Sequence, residues 1–444
     1  MTPALRVAVI GSGPAGTYAA EGVLKQLPEA QVDVIDAGLS PFGLVRHGVA
    51  PDHLKIKSVT RVLARTLGSP RVRWFGGVRV GDRATGADLE MAELQRRYHA
   101  VVVATGAPRG RRLQVEGDHL SGSCTAADVV PWYNGHPDAL PPLATRARSV
   151  VVVGAGNVAL DVARVLLKGG ADGLGETDLS DETLAEVRVL GAAEVHVVAR
   201  RGPEDVKFGV AELRDLANLA DVRLEVDPAD FATAMPDDGT PVALLREWAQ
   251  REAGTGERRI RFHFRRRVSR LHGTGGVESV ALAAGPGAAD PRPLVLSADL
   301  VVAAIGFRSE ALSGLPYDEE LGRIPNVAGR VVPGIYVAGW VKRGPQGVIG
   351  TNRLDAMETV AALVADAPVL AARSVDPGDI ADLLARQGSS VFTWDDWLRL
   401  DAAELARGRD RGKLRAKFAG RDRMLAALVG SGSSEALTGA ARPC

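Results

Sequence analysis

Cysteine is nearly missing from this chain: Cys124 and Cys444 are the two in 444 residues. Neither belongs to a C-x-x-C pair, which excludes a dithiol redox motif and a thiolate iron–sulfur ligand set. No other set of metal ligands stands out. Scarce cysteine fits a reducing compartment, and the location expected is cytoplasmic. An excess of one charge is also lacking, because 54 Lys+Arg balance 54 Asp+Glu. Whole-chain charge thus gives no reason to expect nucleic acid or a membrane surface as partner. No uninterrupted apolar stretch approaches the roughly 18 residues of a membrane span. The first apolar run, Val7 to Ile10, leads directly into a glycine turn, as a structural strand does and a leader peptide does not.

What is present is an ordinary globular composition, 46% hydrophobic and 24% charged, on a chain long enough for two or three domains without disulfides or metals. Two strand–glycine turn–helix units stand out, from Leu5 to about Leu27 and from Ser149 to about Lys168. Each is followed by another apolar strand, Val32–Asp36 and Val195–Arg200. This β-α-β order implies parallel pairing, because parallel strands need a crossover. Two further apolar runs end at a glycine, Ala100–Ala107 and Asp299–Phe307, and read as strands buried on both faces. The fold class expected is α/β, with two dinucleotide-binding units. Pro137–Pro142 reads as a connector. Gly169–Glu194 reads as an insertion with a weak helical patch at Leu184–Leu190. The tail from Pro377 has helical spacing at Ile380, Leu383 and Leu384, and Ser431–Ser434 reads as mobile.

The two units differ where it matters chemically. In Gly11-Ser12-Gly13-Pro14-Ala15-Gly16 the first glycine permits the turn. The second lets pyrophosphate approach the backbone, and the third lets helix and strand pack. Asp36 ends the next strand, where a carboxylate accepts from ribose hydroxyls and repels a 2′-phosphate. That unit suits FAD or NAD, not NADP. In Gly154-Ala155-Gly156-Asn157-Val158-Ala159 the device recurs. Its next strand ends in Arg200-Arg201, whose guanidinium groups suit the 2′-phosphate of NADP(H). FAD with NADPH is the economical pair: one supplies a hydride, and the other accepts two electrons and releases them singly.

With these features in place, the chain resembles the adrenodoxin-reductase type of ferredoxin–NADP reductase. The resemblance rests on Gly11–Gly16, Pro41–His53 (PFGLVRHGVAPDH), Gly154–Arg164 (GAGNVALDVAR), Arg200–Pro203, Ile305–Phe307 and Gly339–Gly350 (GWVKRGPQGVIG), in order along the chain. It implies two Rossmann-like dinucleotide-binding domains, the NADP domain inserted in the FAD domain: residues 1–106 and 331–444 for FAD, the latter with a C-terminal tail, and 107–330 for NADP. It implies that Ala15, Asp36, Leu44 and Val80 touch FAD, and that Trp340, Gly347, Val348 and Ile349 lie by the flavin. Gly154, Ala155, Gly156, Asn157, Arg200, Arg201 and Glu212 would contact NADP. His53, Asp161 and Glu212 match positions tied to the nicotinamide pocket and to proton handling. The implied partner is a small acidic ferredoxin-like iron–sulfur protein. Asp36, Ala155 and Gln346 depart from the family's usual glutamate, glutamine and small hydroxyl residue, and Gln346 puts the nicotinamide fit in question.

Simpler readings stand beside several of these. His53 can be bonded structurally to backbone, Asp161 can pair with Arg164 at i+3, and Glu212 can be surface charge. Arg246–Arg270 holds nine arginines against three glutamates. Within it Ile260, Phe262 and Phe264 alternate with Arg259, Arg261, His263 and Arg265, so a strand with one apolar and one basic face is predicted. That face is either a landing surface for an acidic partner, with Lys342 and Arg343 assisting, or a solvated arginine face. The competing functions are an NADPH-linked flavoprotein with another acceptor, as an oxidase or oxygenase, and a non-catalytic flavoprotein subunit.

Overall fold

The computed structural model describes residues 5–142, 146–169, 173–219, 221–231, 240–251 and 256–429. Ser431–Ser434 lie outside them. Among the described residues, two six-stranded sheets organise the chain. The first runs, edge to edge, Arg330–Val332, Ile335–Val337, Ala100–Val103, Arg6–Ile10, Gln31–Asp36, Val72–Gly76. All its pairings are parallel except that between Arg330–Val332 and Ile335–Val337. The second runs Ser123–Thr125, Leu300–Ala303, Ser149–Val153, Glu194–Val198, Arg258–His263, Val222–Glu225, parallel throughout. The second sheet therefore lies, in sequence, between the two parts of the first.

Each glycine turn follows a strand flanked on one side by the next strand in sequence and on the other by a late one. That is where the strand order reverses and where open α/β sheets bind ligands. The runs predicted as strands to Ala107 and Phe307 are shorter, ending at Val103 and Ala303. Beyond each, a carbonyl closes on a glycine turn. A Cβ on Gly11 would sit 2.5 Å from the Ala104 oxygen, and one on Gly154 would sit 2.3 Å from the Ala304 oxygen.

The helices Pro14–Gln26, Thr351–Ala371 and Trp394–Asp410 cover one face of the first sheet. Gly22 lets the first two pack closely, for a Cβ there would meet Met357 and Val360. The other face buries Leu94, Ile380 and Leu384, and with them Leu312 and Ile324. Leu312 and Ile324, ahead of residue 331, therefore pack with the first sheet. The helix Asn157–Gly169 covers the second sheet on one side. The antiparallel meander of Arg266–His272, Ser279–Ala284 and Leu294–Ser297 covers part of the other.

The expected insertion is a joint. Its helix Asp181–Leu190 is capped by the Ser180 hydroxyl, and the residues before it meet the tail. Lys417 Nζ lies 2.9 Å from Asp178, Lys413 Nζ donates to the Leu179 carbonyl at 2.8 Å, and Arg411 Nε donates to Asp181 at 2.6 Å. No described helix is long and apolar enough to cross a membrane.

Candidate active site and its two nucleotide cradles

The first cradle is built from close backbone approaches. A Cβ on Gly16 would sit 1.9 Å from the Gly11 oxygen, so the helix must start against the turn. At Gly13 a Cβ would meet only the Gly43 Cα, at 3.9 Å, so the middle of the turn is open. This is the cradle a pyrophosphate requires. Gly339 packs onto Ala15: a Cβ on Gly339 would sit 2.5 Å from the Ala15 Cβ. That contact brings the start of helix Trp340–Arg343 beside that of Pro14–Gln26.

Asp36 is less free than the sequence suggests. Its Oδ2 accepts from Ser12 N and Ser12 Oγ, both at 2.6 Å, and its Oδ1 accepts from Gly38 N at 2.8 Å. The carboxylate thus braces the glycine turn and keeps acceptor capacity mainly on Oδ1. Leu44 is exposed just after Gly43, whose φ is 48°. Val80 is half-buried against the first sheet's far face. Trp340 opens a four-residue helix and leans on Phe307, ring centroids 5.8 Å apart; its buried Nε1 has no partner. Gly347 and Val348 are exposed and Ile349 is half-buried. Gln346 is exposed. A polar ring system fits beside an indole N–H that lacks an acceptor, so these residues suit a flavin.

In the second cradle, a Cβ on Gly156 would meet nothing within 4 Å. Asn157 Nδ2 donates to Glu212 Oε1 at 2.8 Å, and its Oδ1 accepts from Gly209 N at 3.1 Å. The Ala155 carbonyl accepts from Lys207 N at 2.8 Å. Glu212 is therefore tied to the glycine turn and is not simple surface charge. Arg200 and Arg201 are exposed at the strand end, and Arg201 lies 3.6 Å from Asp205.

The two cradles meet through the Pro41–His53 segment. Ala50 is buried in the second unit's core. Asp52 takes Arg164 in a two-pronged bond, 2.9 Å each, and accepts from Lys168 at 2.7 Å. Burial opposes its charge, but Arg164 and Lys168 overcome this and hold its carboxyl far below the usual range. That anchor delivers His53 to the second unit, where its Nε2 lies 3.3 Å from Asp215 Oδ2. Asp161 forms the i+3 pair with Arg164 at 2.8 Å and also feels His53. Burial raises its pKa, against the pull of Arg164 and His53. The i+3 pairing of Asp161 with Arg164 is thus seen in the structure.

The sequence reading missed Asp52, Asp215 and Gly339. Asp215 was accessible in principle, being one helical turn from Glu212 on Val210–Ala217. The arginine stripe needs correction. Arg258–His263 is an interior strand; Arg259 pairs with Glu194 at 2.7 Å and Arg261 lies 3.8 Å from Glu225. His263 is buried against His196 at 3.0 Å. Lys342 is also buried, among Asp355, Glu358 and Thr359. Carboxylates from neighbouring elements, invisible in a linear charge count, pair with Arg259, Arg261, Arg265 and Arg270.

Two open glycine cradles at strand-order reversals, joined by the Pro41–His53 segment, are the arrangement of a pyridine-nucleotide-linked oxidoreductase. In agreement, residues 5–203 match the pyridine nucleotide-disulphide oxidoreductase family. The NADPH-ferredoxin reductase FprA of Mycobacterium tuberculosis is 39% identical, over 93% of this chain and 96% of its own length. Human mitochondrial NADPH:adrenodoxin oxidoreductase is 37% identical, over 95% and 92%. The structure of Mycobacterium tuberculosis FprA in complex with NADPH superimposes with a TM-score of 0.89 at 38% identity, covering 96% of this chain and all of that one. The chain belongs to the adrenodoxin-reductase type of ferredoxin–NADP reductase.

Proposed function

We propose that this enzyme carries electrons from NADPH through FAD to a small acidic iron–sulfur protein of the ferredoxin type. The observation that carries the reading is the contrast between two cradles of one design: a carboxylate ends one strand and two arginines end the other. Bound FAD would supply the conversion of a two-electron donor into single-electron deliveries. The chain's own residues do the rest. Asp36 and the Gly11–Gly16 backbone hold the first dinucleotide, with Ala15, Leu44 and Val80 along it. Trp340 and Gly347–Ile349 shield the reacting rings from water. Gly154–Asn157 seat the second pyrophosphate, and Arg200 and Arg201 grip the 2′-phosphate. Glu212, fixed by Asn157, faces the nicotinamide side. His53, steadied by Asp215, and Asp161 hold a proton near the rings.

The FAD unit comprises residues 1–106 and those from about 310 onward, with the NADP unit between. This division is supported by the sheet order and the packing of Leu312 and Ile324. Exposed Lys55 and Arg214, close in sequence to the His53–Asp215 pair, support an acidic partner. Scarcity of cysteine supports the cytoplasm.

The test is an anaerobic titration. Yellow protein is expected to bleach with NADPH at far lower concentration than with NADH, then to reduce cytochrome c only once ferredoxin is added. Rapid NADPH consumption with oxygen alone would indicate an oxidase or oxygenase instead.

A further inference from the structure

One arginine of the Arg246–Arg270 stretch stands against the loop that carries Arg200 and Arg201. We infer that Arg265 is a positioning and specificity residue for the 2′-phosphate: it props the Arg200–Asp205 loop and neutralises the Glu204 carboxylate beside the phosphate seat. The inference deepens the NADPH reading above and rests on it.

The geometry is specific. Arg265 adopts a left-handed backbone, φ 52°, which is costly for a residue with a Cβ and must be held by its surroundings. Its N–H donates to the Arg201 carbonyl at 3.0 Å, and its own carbonyl accepts from Gly285 N at 2.7 Å. This twist turns the side chain back under the loop. Its Nη2 donates to both Glu204 oxygens, at 3.0 and 2.9 Å, and its Nη1 donates to the Asp230 carbonyl at 3.0 Å. A Cβ on Gly202 would sit 2.2 Å from a Glu204 oxygen and 2.4 Å from Arg265 Nη2. The ion pair therefore lies directly against the residue that follows Arg201. The far end of the loop is pinned to the glycine turn by the bonds from Lys207 and Gly209 to Ala155 and Asn157.

Glu204 is the principal counter-charge. The Asp230 carboxylate is farther, at 3.7 Å, and burial and Asp227 push its pKa up to about 6. An unpaired carboxylate at Glu204 would repel the extra phosphate that distinguishes NADPH from NADH. It would not repel a ribose hydroxyl. Arg265 therefore acts on the difference between the two nucleotides.

The test compares Arg265→Met, Glu204→Gln and the double variant, all FAD-loaded, in anaerobic flavin reduction by NADPH and by NADH. Arg265→Met should raise KM for NADPH by about tenfold and KM for NADH by less than about twofold. Adding Glu204→Gln should recover most of the loss. Glu204→Gln alone, which keeps an oxygen acceptor for Arg265, should lower KM for NADPH while leaving that for NADH in place. This reading serves even if Arg265→Met fails to fold. Equal losses for both nucleotides, no rescue in the double variant, or an NADPH KM that Glu204→Gln does not lower would each overturn the inference alone. If the unaltered protein bleaches with neither nucleotide, the oxidoreductase reading falls and takes this inference with it.

Discussion

His53 shows how a single side chain acquires a role through its neighbour. Asp52 is locked to Arg164 and Lys168, so the histidine beside it has little freedom and lands 3.3 Å from Asp215. A ring held this way can relay a proton, yet transfer of hydride between stacked rings needs alignment more than acid or base. His53→Ala is therefore expected to slow steady-state turnover by roughly tenfold or more while flavin reduction by NADPH persists. Stopped-flow bleaching of the folded, flavin-loaded variant is the measurement, and complete loss of bleaching contradicts this account. The residue itself was visible in the sequence, inside PFGLVRHGVAPDH. Its partner was not, because Asp215 lies 162 positions away and only tertiary packing brings them together.

At the scale of elements, the glycine turns were legible because a turn pressed against a carbonyl tolerates no Cβ, and that constraint is local. The strand Arg258–His263 was legible in period but not in environment. Alternation identified Ile260, Phe262 and Phe264 as the inward face, and they are buried. The opposite face proved to hold a histidine pair, His196 Nδ1 and His263 Nε2 at 3.0 Å. Burial first, then His196 and nearby arginines, push the His263 pKa down to about 3. The unfolded chain binds that proton near the ordinary histidine value, so it takes up more protons than the fold between about 6.5 and 3. Stability should fall as pH drops through this window and be insensitive to this group above it. Urea denaturation at pH 7.5 and 5 should show a loss that His263→Gln makes smaller. An unchanged pH dependence in that variant would remove His263 as the cause.

For the whole molecule, the decisive contacts are those that tie distant stretches of chain. Lys57 donates to Asn134 and Asp178, and Lys417 donates to Asp178 and the carbonyls of Arg46 and Asn134. Lys417, Asp178 and Lys57 are 1%, 5% and 8% exposed. Asp178→Ala would leave two buried ammonium groups without their anion, at a cost of about 3–5 kcal/mol. A thermal melt should show the loss, and a melting temperature within a degree of the parent would refute it. Docking belongs to this scale too. If exposed cations around the junction attract the partner, ferredoxin reduction should slow as salt rises from about 0.05 to 0.5 M. A flat response would remove electrostatic attraction from the account.

The two nucleotide units, their contrasting strand ends and the family's long motifs are readable from the linear chain, because each depends on residues close together in it. Which charges are paired, where the chain rejoins the first sheet and which carboxylate meets His53 emerge only on folding. Those outcomes depend on which distant elements pack together, and ion pairing in a folded chain follows distance in space.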